Sequence, residues 1–442
     1  PATAQFGPFL TGAGPVNRSM AGASTAAPLD TLGAFLWNPA TITALENSAD
    51  IGLEVFLPSA TLSSSVDANA FGPGAPPMTL SGRTASQSGA FPIPNFGFVY
   101  RPDDSPWSYG VGLRTLAGFG VNYPGDPSNP LLSPQPPDGF GVGPIYSQYA
   151  LLQIVPTIAL QATDRLSLSF SPLIDIATLT VDPGILSSPD MVGGSPVYPP
   201  LTHGSYHWGG GFMLGAWYRT DVDWDVGVSY RSLQSFIPFQ YASRRPNGEP
   251  RTVDFLVDAP ATVSLGTAYR GFDRWLFALD LRYLDFASTP PYSAAGFTPQ
   301  GAVRGLDVES MFALATGVEY RVNERASIRS GYSYCTKPIG SDQAFANVAS
   351  PFVLQHAVTL GGTYAISDRF DVSLAYAHFF TGSVSGPWQS PAGAIPGTNV
   401  TSTLSADAGL RVPPPGMFSM GQWEPSAAMR AASSGLTPAL VW

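Results

Sequence analysis

Trp275-Leu-Phe-Ala-Leu-Asp-Leu-Arg-Tyr283 alternates without a break: Trp275, Phe277, Leu279, Leu281 and Tyr283 fall on one side, Ala278, Asp280 and Arg282 on the other. Side chains of a strand point to opposite faces with period two, so this stretch reads as a strand with one apolar face and one small or polar face. The pattern recurs. Phe312, Leu314, Val318 and Tyr320 oppose Ala313, Ala315, Gly317 and Glu319, and Val358, Leu360 and Tyr364 oppose Ala357, Thr359, Gly361 and Thr363. Val372, Leu374 and Tyr376 oppose Asp371, Ser373 and Ala375, and near the start Ile51, Leu53, Val55 and Leu57 share a side. These apolar faces carry no charge, and a charge there would cost about 2–4 kcal/mol at a bilayer midplane. A soluble sandwich would alternate as well, so the connections must decide.

Short links recur at Pro102–Pro106, Thr163-Asp164, Thr220–Asp223, Gly271–Arg274, Asn323-Glu324 and Ser367-Asp368. Between them lie long ones, near Asp67–Arg83, Pro124–Pro144, Val181–Tyr206, Tyr241–Arg251, Ala287–Val303, Lys337–Pro351 and Gly386–Asn399. Short turns on one rim and long loops on the other mark an outer-membrane barrel, whereas Greek keys would mix them. Fourteen antiparallel strands are predicted, beginning near Ile51, Ala85, Ser108, Ile145, Arg165, His207, Asp223, Thr252, Arg274, Arg304, Arg325, Phe352, Phe370 and Val400.

Composition agrees. There are 47 Gly and 44 Pro among 442 residues, and only 12% of residues are charged, against about a quarter in ordinary soluble domains. Hydrophobic residues make up 44%, too few for a helical membrane protein, and no apolar run is long enough for a transmembrane helix. A formal charge of −10 with Lys337 as the single lysine argues against nucleic acid as a partner, since that needs a basic surface. Cys335 stands alone, which excludes an internal disulfide and a cysteine zinc cluster.

Ahead of the strands, Gln5 to Ser48 is rich in small residues, nearly uncharged, and without clean periodicity. Such a segment packs closely against walls and is expected to be a plug inside the barrel. Its run Gly12-Ala-Gly-Pro-Val-Asn-Arg-Ser-Met20-Ala-Gly22, with Asn38-Pro39-Ala40 before the first strand, resembles the N-terminal hatch of the FadL-type transporters of long-chain fatty acids and other hydrophobic compounds in bacterial outer membranes. Asp258-Ala-Pro-Ala-Thr-Val-Ser-Leu-Gly-Thr-Ala-Tyr-Arg270 and Ile328-Arg-Ser-Gly-Tyr-Ser-Tyr334 resemble strands of the same family. The expected organisation is a signal-peptide remnant at 1–4, suggested by Ala2-Thr3-Ala4, a hatch at 5–48, a barrel at 49–423 and a tail at 424–442. The last strand should be clean and end in an aromatic residue that the barrel-assembly machinery reads. Here Leu404–Val412 alternates poorly and Pro413-Pro414-Pro415 cannot donate to a ladder. Either the barrel closes before Pro413, or Met417–Trp423 completes it.

Other motifs fail on their chemistry. Asp221-Val-Asp223-Trp-Asp225 lacks the glycine and the final glutamate of a calcium loop. His203 and His207 lack a third ligand, and no Gly-x-Ser-x-Gly elbow is present. No enzyme, metal or cofactor is expected. Gly118-Phe119-Gly120, within the third strand, is either an ordinary pair of strand glycines or a kink. The resemblance implies that a kink here would open the wall sideways.

Fourteen strands leave a bore that would leak without a plug, and a plugged bore suits a cargo that is caught and released sideways. A sixteen-carbon chain gains roughly 12 kcal/mol on burial at ~0.8 per methylene, so it favours leaving into lipid. The expected route is loop capture by Ile185, Leu186, Met191, Val192, Tyr198, Phe236, Ile237 and Phe239, then a pocket with Phe6, Phe9 and Leu10, then exit past Gly118, Phe119 and Gly120. Simple loop packing is the alternative for each loop residue. The expected partners are a hydrophobic small molecule, outer-membrane lipid and the assembly machinery, with the chain acting as a monomer. A hydrocarbon or aromatic-compound channel of the same fold, and a general diffusion porin, are the competing functions.

Overall fold

The computed structural model describes residues 7–202 and 205–410, apart from the side chains of Phe119 and Leu410. Phe6, His203, the segment at 1–4, Met417–Trp423 and the tail at 424–442 therefore lie outside the described residues. The described strands form a ring of 14 hydrogen-bonded antiparallel strands. In chain order they are β1 (Ser48–Val66), β2 (Phe91–Tyr100), β3 (Trp107–Tyr123), β4 (Ile145–Gln161), β5 (Leu166–Asp182), β6 (His207–Arg219) and β7 (Trp224–Arg231). They continue as β8 (Thr262–Phe272), β9 (Trp275–Leu284), β10 (Met311–Arg321), β11 (Ala326–Cys335), β12 (His356–Ser367), β13 (Phe370–Gly386) and β14 (Thr398–Leu410). Each strand pairs with its chain neighbours, and β14 pairs with β1 from Glu54↔Leu410 to Val66↔Thr398.

The faces follow the alternation. On β9, Trp275, Phe277, Leu279 and Leu281 are exposed on the outside of the ring, while Leu276, Ala278, Asp280 and Arg282 are buried inside. Ring closure leaves no open sheet edge, which a strand protein in hydrocarbon requires. The seam closes before Pro413. Its weak alternation has a cause: Ala406 and Ala408 are buried inside, and outside them Asp407 accepts from Tyr376 and pairs with His378 at 2.8 Å.

Three strand starts differ from expectation. Thr252 belongs to Pro250–Phe255, which pairs with Phe239–Arg244 in a hairpin outside the ring, and the barrel strand begins at Thr262. Arg304 lies in the long connection before Met311, and Phe352 in the one before His356. Alternation reports strand conformation but not membership of the ring, so the hairpin's Val253 and Phe255 read as barrel. The second strand is broken: Leu80–Ala85 and Phe91–Tyr100 both pair with β1, and residues 86–90 interrupt them.

A lipid-facing outer wall makes a direct prediction. Leu279→Arg, at mid-strand on the outside of β9, should lower stability by about 2–4 kcal/mol in denaturant titrations of vesicle-embedded protein. A change within about 0.5 kcal/mol, ordinary for a solvent-exposed surface, would mean that this face does not meet hydrocarbon.

Candidate functional site

Residues 7–44 fill the inside of the ring, and nearly every one is buried. The segment holds two short helices, α1 (Gly14–Ser19) and α2 (Thr31–Trp37), and a 3-10 turn, Pro39–Ala44. Asp30 caps α2 by accepting from Gly33 N at 3.2 Å. Asn38 ends it and caps the turn, accepting from Ala40 N while its amide donates to Thr25 O at 2.8 Å and to Ala216 O of β6 at 2.9 Å. Asn38, Pro39 and Ala40 are thus the joint that ties this segment to itself and to the wall. Small residues are needed on both sides of the contact. Gly22 sits at φ +87 with a Cβ site 1.9 Å from Thr11 O, and a Cβ on Gly331 of β11 would fall 2.6 Å from the Met20 carbonyl carbon.

Charges hold the segment in place. Asp280 of β9 accepts from Ser24 N at 2.9 Å, Thr25 N at 3.0 Å and Thr25 Oγ1 at 2.7 Å. Arg282 pairs with Asp280, donates to Gly22 O at 2.7 Å, and lies 3.5 Å over the Trp37 ring. Arg18 of α1 pairs with Glu54 of β1 at 2.9 Å, both buried. The last carbonyls of α2 meet donors from the wall: Phe35 O takes Arg114 Nη1 at 2.6 Å, Leu36 O takes Arg231, and Trp37 O takes Ser229. Cations at a helix C-terminus satisfy its orphan carbonyls and its negative dipole end.

The wall has a gap between β2 and β3. Pairing between β2 and β3 ends at Asn95↔Arg114. Beyond that, β3 shifts register against β4 between Thr115 and Ala117, which marks a bulge at Leu116. The edge of β3 that faces β2 is taken by the chain's own N-terminal segment. Leu10 N donates to Leu116 O at 3.1 Å, Gly118 N donates to Pro8 O at 2.9 Å, and Phe9 pairs with Ala117. Higher up, Gln87 N donates to Asn122 O at 2.7 Å, so the break in the second strand bridges the top of the gap. Gly118, Phe119 and Gly120 keep their backbone pairing with β4 through Ala150, Tyr149 and Gln148.

Phe9 and Leu10 are buried in an apolar cluster that spans the interior above the helices. Phe9 lies 5.9 Å from Phe286, which is 5.0 Å from Tyr292 and 6.2 Å from Phe352. Phe236 and Phe239 belong to this cluster and Leu186 packs against it. Ile185, Val192 and Tyr198 are half-buried, with Tyr198 OH donating to Gly301 O at 2.8 Å, and Met191 and Ile237 are 64% and 61% exposed. The capture residues read from sequence therefore divide into interior and surface sets. Phe236 N donates to Asp258 at 2.9 Å, and burial pushes this carboxyl above the usual carboxylate range. Phe286, Tyr292 and Phe352 were not singled out by sequence reasoning. They sit in long connections without periodicity, and no local signal separates them from other loop aromatics.

A protein-family model described as outer membrane protein transport protein (OMPP1/FadL/TodX) matches residues 4–411. Among solved structures, the Pseudomonas putida toluene transporter TodX is 18% identical, covers 92% of this chain and 99% of its own, and has a TM-score of 0.61. The Ralstonia pickettii toluene transporter TbuX is 19% identical over 90% and 98%, with a TM-score of 0.59. A Pseudomonas aeruginosa FadL homologue is 14% identical over 91% and 99%, with a TM-score of 0.61. These likenesses are of fold. No curated protein sequence matches the chain.

The Asp280 node makes a prediction. Asp280→Ala removes the acceptor shared by Ser24, Thr25 and Arg282 and leaves a buried guanidinium without its counter-charge, a change worth about 3–5 kcal/mol where buried pairs are broken. Planar-bilayer recordings should then show raised conductance from a barrel whose electrophoretic mobility is still that of the folded form. Wild-type conductance from that folded variant would separate the ion pair from retention of the inner segment.

Proposed function

This chain belongs to the FadL/TodX family of outer-membrane transport proteins for hydrophobic compounds, and on that premise we propose the route its cargo takes. Residues 5–48 are a hatch, and its leading strand at Pro8–Leu10 is a removable part of the wall. Cargo moves from the extracellular loops into the aromatic cluster around Phe9, Phe286 and Tyr292. When Pro8–Leu10 leaves the edge of β3, a path past Leu116–Gly120 connects that cluster to the membrane. The observation that carries this reading is the replacement of a β2–β3 contact by the hatch's own backbone at Leu116 and Gly118.

The energetics suit a gate. Two backbone hydrogen bonds hold the strand, each worth about 0.5–1.5 kcal/mol net, together with burial of Phe9 and Leu10. Transfer of the cargo itself outweighs them, because each buried methylene favours lipid over water by about 0.8 kcal/mol. No energy source beyond that partition is required.

Two cargo classes fit, long-chain fatty acids and small aromatic hydrocarbons. The pairing of the interior cations favours the second. Arg18 is paired with Glu54, Arg282 with Asp280 and Arg329 with Glu319, while Arg114 and Arg231 hold the α2 carbonyls. A carboxylate seeking Arg18, Arg282 or Arg329 would have to break one of these ion pairs, whereas a neutral ring would not. Both TodX and TbuX are toluene transporters.

Locking the strand tests the gate. Phe9 and Ala117 form an antiparallel pair flanked by, but not sharing, hydrogen bonds. Such pairs bring Cα atoms to about 4.5 Å, within disulfide range. In a Cys335→Ser background, Phe9→Cys with Ala117→Cys should abolish uptake of labelled toluene and oleate by cells when oxidised, and reductant should restore it. Full uptake with the disulfide formed would sink the lateral route. The ratio of toluene to oleate uptake by the unlocked protein decides the cargo.

A further inference from the structure

The extracellular loops carry a second apolar surface, away from the residues that sequence singled out for capture. Phe71, in the connection after β1, lies 5.4 Å from Phe140, in the connection after β3, and 5.9 Å from Trp388, in the connection after β13. Phe345, in the connection after β11, lies 6.3 Å from Trp388 on the other side. Two other loops therefore meet this indole, and a third reaches it through Phe71. Trp388 is 4% exposed and fixed at both ends: its backbone N donates to Thr398 Oγ1 at 2.9 Å and its ring N–H to Asn399 O at 3.2 Å. Phe71 and Phe140 keep 38% and 36% of their surface open.

Charge separates this surface from its counterpart. The connections at 67–79, 124–144 and 387–397 contain no Lys or Arg, and their ionisable residues are Asp67, Asp126 and Asp138; the connection that carries Phe345 adds Lys337 and Asp342, which leaves the acidic excess unchanged. Across the mouth, the hairpin at Phe239–Phe255 carries Arg245 and Arg251, which pair with Asp190 at 2.7 and 3.0 Å. An acidic surface repels a fatty-acid carboxylate and is indifferent to a neutral ring, which two phenyl rings over a fixed indole meet edge or face. The surface is also continuous with the interior. Val142, Phe345 and Ile395 pack against the same cluster that holds Trp388, Phe9, Leu10, Leu116 and Ala117.

We propose that Phe71, Phe140 and Trp388 form an entry site for neutral aromatic hydrocarbons, separate from the loops at 183–206 and 232–261. The proposal rests on the transport reading for its purpose, but its test reads binding directly. Full-length protein in lipid nanodiscs is photolabelled with a neutral aryl diazirine and the adducts are mapped by mass spectrometry. Adducts should concentrate on 67–79 and 138–142, and toluene should displace them while oleate does not. Phe71→Ala with Phe140→Ala should reduce them about tenfold, the loss of two aromatic contacts, and Phe71→Trp with Phe140→Trp should retain them. Labelling confined to the loops at 183–206 and 232–261, undiminished in the double alanine variant, or displaced equally by oleate would overturn the site. Labelling as expected in a protein that imports neither toluene nor oleate would instead overturn the transport reading alone.

Discussion

In hydrocarbon a backbone N–H or C=O cannot be left open, because no water is present to take it. A barrel meets this by closing, and the described strands pair with their neighbours around the ring, with Ser86 N donating to Ala60 O where residues 86–90 interrupt the partner of β1. The contact between β2 and β3 is the exception. It stops at Asn95↔Arg114, and Pro8–Leu10 supplies what the wall withholds at Leu116 and Gly118. The same constraint that seals the barrel thus makes its inner segment part of the seal at one place. On the proposed route this strand leaves the edge of β3, which a strand held in a continuous ladder could do only by tearing the barrel.

Keeping that segment in place falls to a small number of buried charges. Asp280 gathers three donors from Ser24 and Thr25 as well as Arg282, and Arg114, Arg231 and Ser229 close the end of α2. Breaking a buried pair is costly while its net contribution to stability is small, so these contacts specify position more than they add stability. They run from Arg18 of α1, which pairs with Glu54 and donates to Thr11 and Gly12, through Gly22–Thr25 to the end of α2. The leading strand at Pro8–Leu10 is held by backbone bonds and apolar contact, with no ion pair of its own among the described residues. One end of the segment is therefore anchored by charge and the other is held by weaker forces, which is the asymmetry a gate needs.

Much of this was legible in advance. The period-two faces of Trp275–Tyr283 and its relatives, and the strict alternation of short and long links, specify a barrel with its lipid face outward, because those patterns follow from geometry local to each strand. Asn38-Pro39-Ala40 marked the end of the inner segment, and its Asn does bind both the segment and the wall. The strand start at Thr252 misled because alternation is equally good in a hairpin folded off the ring as in the ring itself. Asp280 and Arg282 were visible as charges on the inward face, yet nothing local assigned them Thr25 and Gly22, more than 250 residues away in sequence.

The amino-acid sequence by itself determined the strand faces, the two rims and the family, since each depends on neighbours in the chain or on short motifs. Only the tertiary structure decided where the wall is incomplete, which residues fill it, and which aromatics meet: Phe9 against Ala117, Phe9 against Phe286, Phe71 against Phe140. Those contacts join segments distant in sequence through irregular loops, and irregular loops have no periodicity from which a partner could be read.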